Sequence, residues 1–239
     1  MITELALAHA GRIDAHAPGL LAGLHVTGSP ALDDYVPGVS DLDLVGVLSR
    51  VPDEADLAAL AKAHVDPSVD AVYVQPDDLT RPAADLVRPW GRDGELRTTE
   101  PAYLTPVLWD QLNRYSITVR GDRPKACVTP EEVADYCRGN LVAYWQPLVE
   151  QLGAALDAGV TVPADTVLWV ALGPARLWHT LRTGEIVGKS QAVNAAAAHW
   201  PDLAAPLAVL VEARHGRAAV EPEHGLAAVE LGRRVLADG

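Results

Sequence analysis

The pattern most suited to chemistry in this 239-residue chain is a Gly-Ser pair followed by two carboxylates. Gly28 and Ser29 end one apolar segment, and after a short connection Asp41 and Asp43 open a second apolar segment. Alternate residues on a strand point to the same face, so we expect both carboxylates to converge on one hard cation. Mg²⁺ takes few protein carboxylates and completes its octahedron with water and phosphate oxygens. Because the Gly-Ser pair offers backbone N–H groups and a hydroxyl to those phosphates, the pattern predicts a site for a nucleoside triphosphate.

Asp70 is a candidate third carboxylate at the same site. It opens another apolar segment, after a predicted helix that would return the chain to the same sheet. Two carboxylates can then hold Mg²⁺, while the third either binds the metal or takes the proton of an acceptor hydroxyl. Attack of that hydroxyl on the α-phosphorus, with pyrophosphate leaving, is nucleotidyl transfer. An Asp-x-Asp pair alone is usually an exposed strand edge or turn, and the upstream Gly-Ser pair is what favours the metal site.

The elements that must position these residues follow from the hydropathy pattern of the first half of the chain. Strands are predicted at residues 20–27, 41–48, 69–74 and 115–120. Helices are predicted at residues 3–16, 52–64 and 105–114. Residues 76–97 are rich in Pro, Gly and charge, and they predict a long loop of the kind that is often functional.

The pattern changes near residue 128. Thr129-Pro130-Glu131-Glu132 is a helix-start signature, and only helical periodicity follows it. The later helices are predicted at residues 131–156, 164–183, 189–200, 203–215 and 223–237. The sequence therefore predicts an α+β fold with two domains. Residues 1–128 would form a mixed sheet with flanking helices, and residues 129–239 an all-α helical bundle.

Composition narrows the class of protein and of partner. Hydrophobic residues make up 49% of the chain and its two cysteines are too few for a disulfide framework, so we expect a globular cytoplasmic protein. A signal peptide and a membrane-spanning helix are not expected, because charged residues interrupt each apolar run. The formal net charge of −13 argues against a nucleic-acid partner and suits a cationic small molecule, although most of the charge serves solubility. We expect a monomer.

These motifs bear a resemblance to a known superfamily. Gly28-Ser29 followed by Ser40-Asp41-Leu42-Asp43 resembles the nucleotidyltransferase fold of the DNA polymerase β type. Within it, the chain looks like the aminoglycoside (3'')(9) adenylyltransferases, whose helical C-terminal domain carries a recurring set of motifs. The matching segments here are Arg176-Leu177-Trp178, Thr183-Gly184-Glu185-Ile186, Lys189 and Trp200. The resemblance covers nearly the whole chain.

The resemblance implies Mg²⁺-dependent transfer of AMP from ATP to a hydroxyl of an aminoglycoside or aminocyclitol antibiotic. It implies Asp41 and Asp43 as the metal ligands and Asp70 as the catalytic base, in a strand where the family carries Glu. An Asp there is one methylene shorter, so the base must sit closer to the hydroxyl or act through water. The residues implied around the triphosphate are Gly28, Ser29, Ser40, Arg176 and Lys189. On spacing alone, the two cations among them would be ordinary surface residues.

The acceptor stays open at this point. Streptomycin-modifying members carry a Trp after the third strand and an Asp in the helix before the Arg-Ile-Trp motif. The second position holds Thr166 here, and Trp90 and Trp109 do not fall at the first. These departures argue against streptomycin as the acceptor, and they leave spectinomycin, another aminocyclitol or a compound unrelated to antibiotics open. The alternatives are transfer to another metabolite or to a protein, and a catalytically silent relative that only binds nucleotide.

Overall fold

A computed structural model describes residues 1–83 and 86–239 of the chain. The chain divides into two compact units, Met1–Thr129 and Pro130–Gly239, called here the N-terminal and C-terminal units. The first combines a mixed sheet with helices and the second is helical, so the predicted α+β fold class is confirmed. None of the helices in the described ranges is long and apolar enough to cross a membrane.

The N-terminal unit is built on a sheet of six strands, β1 (Leu21–Val26), β2 (Leu42–Leu48), β3 (Val69–Val74), β5 (Trp90–Arg92), β6 (Glu95–Arg97) and β8 (Ile117–Arg120). Their order in the sheet is β6-β5-β3-β2-β1-β8. The accompanying helices are α1 (Ile2–His16), α2 (Gly28–Ala31), α3 (Glu54–Ala63), α4 (Pro76–Leu79) and α5 (Pro106–Arg114). A separate two-stranded sheet pairs β4 (Leu86–Val87) with β7 (Pro101–Ala102). Strands β2 and β3 run parallel, and the other paired strands run antiparallel.

The parallel pair depends on the helix between its strands, because parallel neighbours need a crossover connection. Helix α3 begins at a reciprocal cap in which Asp53 accepts from the backbone N–H of Asp56, and the Asp56 carboxylate accepts from that of Asp53. Arg50, just after β2, donates from Nη2 to Asp56 Oδ1 at 2.6 Å. The cap and this ion pair fix where the crossover helix starts relative to β2.

The two faces of the sheet bury different clusters, and the period of two assigns each strand residue to one of them. Leu42 and Leu44 of β2 face the cluster that includes residues of α1 and α3. Val45 and Val72 face the other cluster, which contains Trp109 of α5. Asp43 lies two residues before Val45, and Asp70 lies two residues before Val72. Each carboxylate therefore faces the same side as its valine, toward α5.

The predicted long loop over residues 76–97 is wrong for most of its length. The segment contains α4 and β4, and β5 and β6 form a hairpin that extends the main sheet. Asp93 and Gly94 join these two strands with φ values of 55° and 77°, the geometry of the tight hairpin turns that Asp-Gly favours. Ala84 and Asp85, which belong to the predicted loop, lie outside the described residues.

Three polar side chains are buried together on the α1–α3 face. The hydroxyl of Tyr73 lies 2.7 Å from Nε2 of His9 and 2.8 Å from Nε2 of His64. A hydroxyl can donate to one neutral ring and accept from the other, so both of these hydrogen bonds form without a charged ring. Burial is the main cause that lowers the pKa of His9 to about 3 and that of His64 to about 4.

This trio makes the stability of the N-terminal unit depend on pH. The unfolded chain binds protons on these histidines below their ordinary pKa of 6.5, whereas the folded unit does not until pH 4 or below. The free energy of unfolding should therefore fall as the pH drops from 7 to 5, by about 2 kcal/mol per histidine. Urea denaturation at several pH values measures the slope. His64→Gln should flatten it and the exposed His16→Gln should not, and an unchanged slope in His64→Gln would contradict the assignment.

The C-terminal unit is a bundle of helices around one apolar cluster. Its helices are α6 (Pro130–Asn140), α7 (Gln146–Asp157), α8 (Ala164–Thr183), α9 (Lys189–His199), α10 (Ala204–Arg214) and α11 (Pro222–Asp238). A π-helical turn at Leu141–Trp145 joins α6 to α7, inside the single helix predicted for residues 131–156. Glycine permits a close contact between α8 and the π-helical turn, because a Cβ on Gly173 of α8 would overlap the Trp145 ring.

Gly173→Ala should destabilise the bundle, since the added methyl must displace Trp145 or the backbone of α8. We expect a loss of about 2–3 kcal/mol in the free energy of unfolding, as for overpacked cores. Gly139→Ala is the matched control, because nothing lies within 4 Å of a Cβ on that helical glycine. The control should gain up to about 1 kcal/mol from helix propensity. Equal effects of the two substitutions on urea unfolding would contradict the packing assigned to Trp145.

Candidate functional site

Strand direction gathers the candidate residues at one edge of the sheet. Strand β1 is antiparallel to β2, so the end of β1 lies beside the beginning of β2. The backbone N–H of Thr27 donates to the carbonyl of Asp43 at 2.9 Å. Gly28 and Ser29 follow directly, in the single helical turn of α2, so the predicted Gly-Ser turn lies next to the first carboxylate strand.

Asp43 and Asp70 are direct neighbours across the parallel strands. They are paired in the register of β2 and β3, where adjacent backbones lie about 4.8 Å apart. Both line a cavity of about 200 Å³ on the α5 side of the sheet. The cavity is lined by Thr27, Asp43, Leu44, Val45, Asp70, Ala71, Val72, Trp90, Gly91, Arg92, Tyr103 and Leu108. Two carboxylates therefore open onto one space whose walls are otherwise mainly apolar.

Glycine is required at position 28, because the Asp43 carboxylate leaves no room for a side chain. A Cβ at this position would overlap Oδ2 of Asp43, and the backbone adopts φ 62°, which favours glycine. The N–H of Gly28 donates to Oε1 of Gln111, a buried residue of α5, at 3.1 Å. The carboxylate is thus packed directly against the Gly28 α-carbon, which α5 holds in place.

Asp70 is paired with an arginine that the sequence did not indicate. Nε of Arg92 donates to Oδ2 of Asp70 at 2.8 Å. The Arg92 side chain is 52% exposed and that of Asp70 15%. Burial lowers the pKa of Arg92, but the hydrogen bond from Asp70 and the charges of Asp70, Asp93 and Asp41 raise it, and the net shift is upward. The guanidinium therefore lies in the field of several carboxylates at this edge of the sheet.

The remaining residues implied for this edge are more peripheral. Asp41 precedes β2 and is exposed, and its attraction to Arg92 places it near the cavity residues without lining the cavity. The hydroxyl of Ser40 accepts from the N–H of Val36 at 3.1 Å, so it closes the turn before β2. The structure therefore brings Gly28, Asp43 and Asp70 together, with Asp41 and Ser40 on the adjoining segment.

The carboxylate oxygens of Asp41 and Asp43 are suited to a small hard cation. Over the described ranges, no group of three or more His, Cys, Asp or Glu side chains is arranged to hold a metal ion. The predicted convergence of three carboxylates is therefore not present as a ready-made cage. A site completed by phosphate oxygens needs only one or two carboxylates, and Asp43 and Asp41 supply oxygen donors of the kind Mg²⁺ prefers.

Arg176 and Lys189 belong to the C-terminal unit. Arg176 lies on α8, where its charge opposes the burial that raises the pKa of Cys137 to about 11. Lys189 is the first residue of α9, and its Nζ lies 5.1 Å from the centre of the Trp169 ring. Their implied contacts with phosphate stay a prediction.

Three residues at the cavity and its edge were not predicted as site residues from the sequence. Trp90 lines the cavity from β5, with the Arg97 guanidinium 4.6 Å from the centre of its ring. Arg92 pairs with Asp70, and Gln111 orients Gly28. The Asp-Gly turn was a usable signal for the hairpin that carries Trp90 and Arg92. Gln111 gave none, since its role depends on how α5 packs.

Comparison with known proteins supports the fold. No family model and no curated protein matches the sequence. Among solved structures, the chain is similar to the spectinomycin adenyltransferase AAD(9) from Enterococcus faecialis, crystallised with ATP and spectinomycin. The TM-score is 0.68 at 16% sequence identity, over 97% of this chain and 98% of that chain. The resemblance inferred from the motifs is thus confirmed at the level of the fold.

Gly28→Ala tests the close approach of Asp43. The methyl group must displace the Asp43 carboxylate, and the backbone must also keep an unfavourable φ. We expect a loss of about 2–4 kcal/mol in the free energy of unfolding. Gly38→Ala is the control, because that glycine has φ 77° but nothing within 4 Å of a Cβ. It should lose only about 1 kcal/mol, and equal losses on urea denaturation would mean that Asp43 does not press on Gly28.

Proposed function

We propose that this protein is an Mg²⁺-dependent nucleotidyltransferase that transfers AMP from ATP to a hydroxyl of an aminocyclitol or aminoglycoside acceptor, with spectinomycin as the first candidate. The main support is the in-register pair Asp43 and Asp70, which opens onto one cavity beside Gly28. The fold shared with an adenyltransferase that binds ATP and spectinomycin supports the substrate classes.

Each residue has a separate role in this proposal. Asp41 and Asp43 would hold Mg²⁺, which supplies positive charge that stabilises the phosphate oxygens during transfer. Gly28 and Ser29 would offer a backbone N–H and a hydroxyl to the triphosphate. The hydroxyl of Ser40 and the basic side chains of Arg176 and Lys189 would contact the same phosphates.

Asp70 would act as the general base. Its carboxylate lines the cavity next to Asp43, so a hydroxyl held there would be close to both the base and the phosphate. Fixing the two reacting groups in one geometry supplies much of the acceleration expected for an in-line displacement. The net charge of −13 favours the approach of a cationic acceptor.

One observation favours a second candidate. Because Arg92 already holds Oδ2 of Asp70, a catalytically silent relative that binds nucleotide without transferring AMP fits the same geometry. The two candidates differ in whether Asp70 is released when substrates bind. Transfer to another metabolite or to a protein hydroxyl would use the same residues with a different acceptor.

An AMP-transfer assay with labelled ATP tests the proposal, with spectinomycin, streptomycin, other aminoglycosides, metabolites and proteins as acceptors. We expect labelled AMP on a spectinomycin-type acceptor. Asp43→Asn should lower kcat about 10²-fold or more through loss of a metal ligand, and Asp70→Asn should lower it about 10²–10⁴-fold through loss of the base.

Asp135→Asn is the matched control. It makes the same chemical change at an exposed ion pair with Arg138 on α6 and should leave kcat unchanged. Nucleotide binding without transfer to any acceptor would support the silent relative instead. Full activity in Asp43→Asn would exclude this cavity as the catalytic centre.

A further inference from the structure

We propose that Arg92 is a built-in counter-ion of the carboxylates Asp41, Asp43 and Asp70. Its guanidinium competes with the divalent cation and leaves Asp70 when that cation binds. The inference rests on the proposed function, because it concerns the site at which the cation would act. It adds a residue with a role of its own: Arg92 would decide when Asp70 becomes available, while the metal ligands stay Asp41 and Asp43.

The position of Arg92 is set by the backbone and by packing behind the sheet. In β5, Gly91 pairs with Ala71 and Trp90 pairs with Val72, which places Arg92 beside Asp70 on the cavity side. A Cβ on Gly91 would overlap the ring of His64. The buried histidine therefore presses directly on the strand, and β5 can lie at this distance only because residue 91 is glycine.

The charges at this edge require a counter-ion. Asp43 and Asp70 are neighbours in register, and like charges on adjacent strands repel. Arg92 donates to Asp70 and is also attracted by Asp41 and Asp93. Its guanidinium stands where positive charge is needed, which is also the role of the divalent cation in the proposed function.

The pair can be opened at low cost. Half of the Arg92 side chain is exposed, so water solvates the guanidinium well once it separates from the more buried Asp70. A divalent cation held by the neighbouring carboxylates repels the guanidinium and weakens its bond to Asp70. By linkage, the Arg92–Asp70 pair must weaken cation binding by the same factor.

The consequence is an order of events. While Arg92 holds Oδ2, one oxygen of the proposed base is engaged by a hydrogen bond. Binding of the cation moves the guanidinium away, and the Asp70 carboxylate is then open to an acceptor hydroxyl. Arg92 thus acts through Asp70 and is a positioning residue.

Titration of the 239-residue chain with Mn²⁺ in the absence of nucleotide tests this inference, with bound Mn²⁺ measured by electron paramagnetic resonance. Arg92→Gln should bind Mn²⁺ about tenfold more tightly than the unsubstituted protein, because a competing positive charge beside Asp70 is removed. Arg92→Lys retains the charge and should bind Mn²⁺ nearly as weakly as the unsubstituted protein. Arg97→Gln removes the same charge from the next strand, where the guanidinium lies over Trp90, and should change the affinity less than twofold.

Unchanged or weaker Mn²⁺ binding in Arg92→Gln would overturn the inference, and so would an equal gain in Arg97→Gln. Absence of measurable binding in both the unsubstituted protein and Arg92→Gln would also overturn it. Circular dichroism of each variant confirms that it is folded. The assay involves neither ATP nor an acceptor, so tighter binding in Arg92→Gln together with no AMP transfer would refute the proposed function and leave the counter-ion role standing.

Discussion

The in-register pairing of two parallel strands is the constraint on which the N-terminal unit depends. It places Asp43 opposite Asp70, two like charges on adjacent backbones. A shift of either strand by one residue would turn its carboxylate into the apolar cluster on the other face, at a large desolvation cost. Leu42 and Leu44 on one face and Val45 on the other hold the register by burial. The fold therefore keeps the carboxylates at the cavity through hydrophobic contacts that take no part in the chemistry.

Other features of the unit accommodate this charged pair. Gly28 lets the end of β1 approach the Asp43 carboxylate, and Gly91 lets β5 lie close enough to bring Arg92 to Asp70. On the opposite face, Tyr73 joins the two buried histidines, whose neutral state avoids adding charge behind the sheet. The same strand, β3, thus presents a carboxylate to the cavity and a hydrogen-bonded aromatic ring to the core.

Much of this arrangement could be predicted from sequence, because hydrophobic periodicity and helix caps are local signals. The strand at Val69–Val74 and the helix at Ala164–Thr183 agree with the predictions residue for residue. The hairpin of β5 and β6 was missed, since its strands are only three residues long and its Asp-Gly turn lay in a segment dominated by Pro and charge. The Arg92–Asp70 pair joins residues 22 positions apart through strand pairing, which no local pattern encodes.

The most direct test of the central claim is anomalous diffraction from crystals grown with Mn²⁺ and a non-hydrolysable ATP analogue. We expect an Mn²⁺ peak bound by the Asp43 carboxylate where β2 and β3 begin, with the analogue's phosphates on the same ion. We also expect that Asp70 then lies within hydrogen-bonding reach of the cavity and no longer touches Arg92. An ion and nucleotide bound away from Asp43 would refute the proposed site.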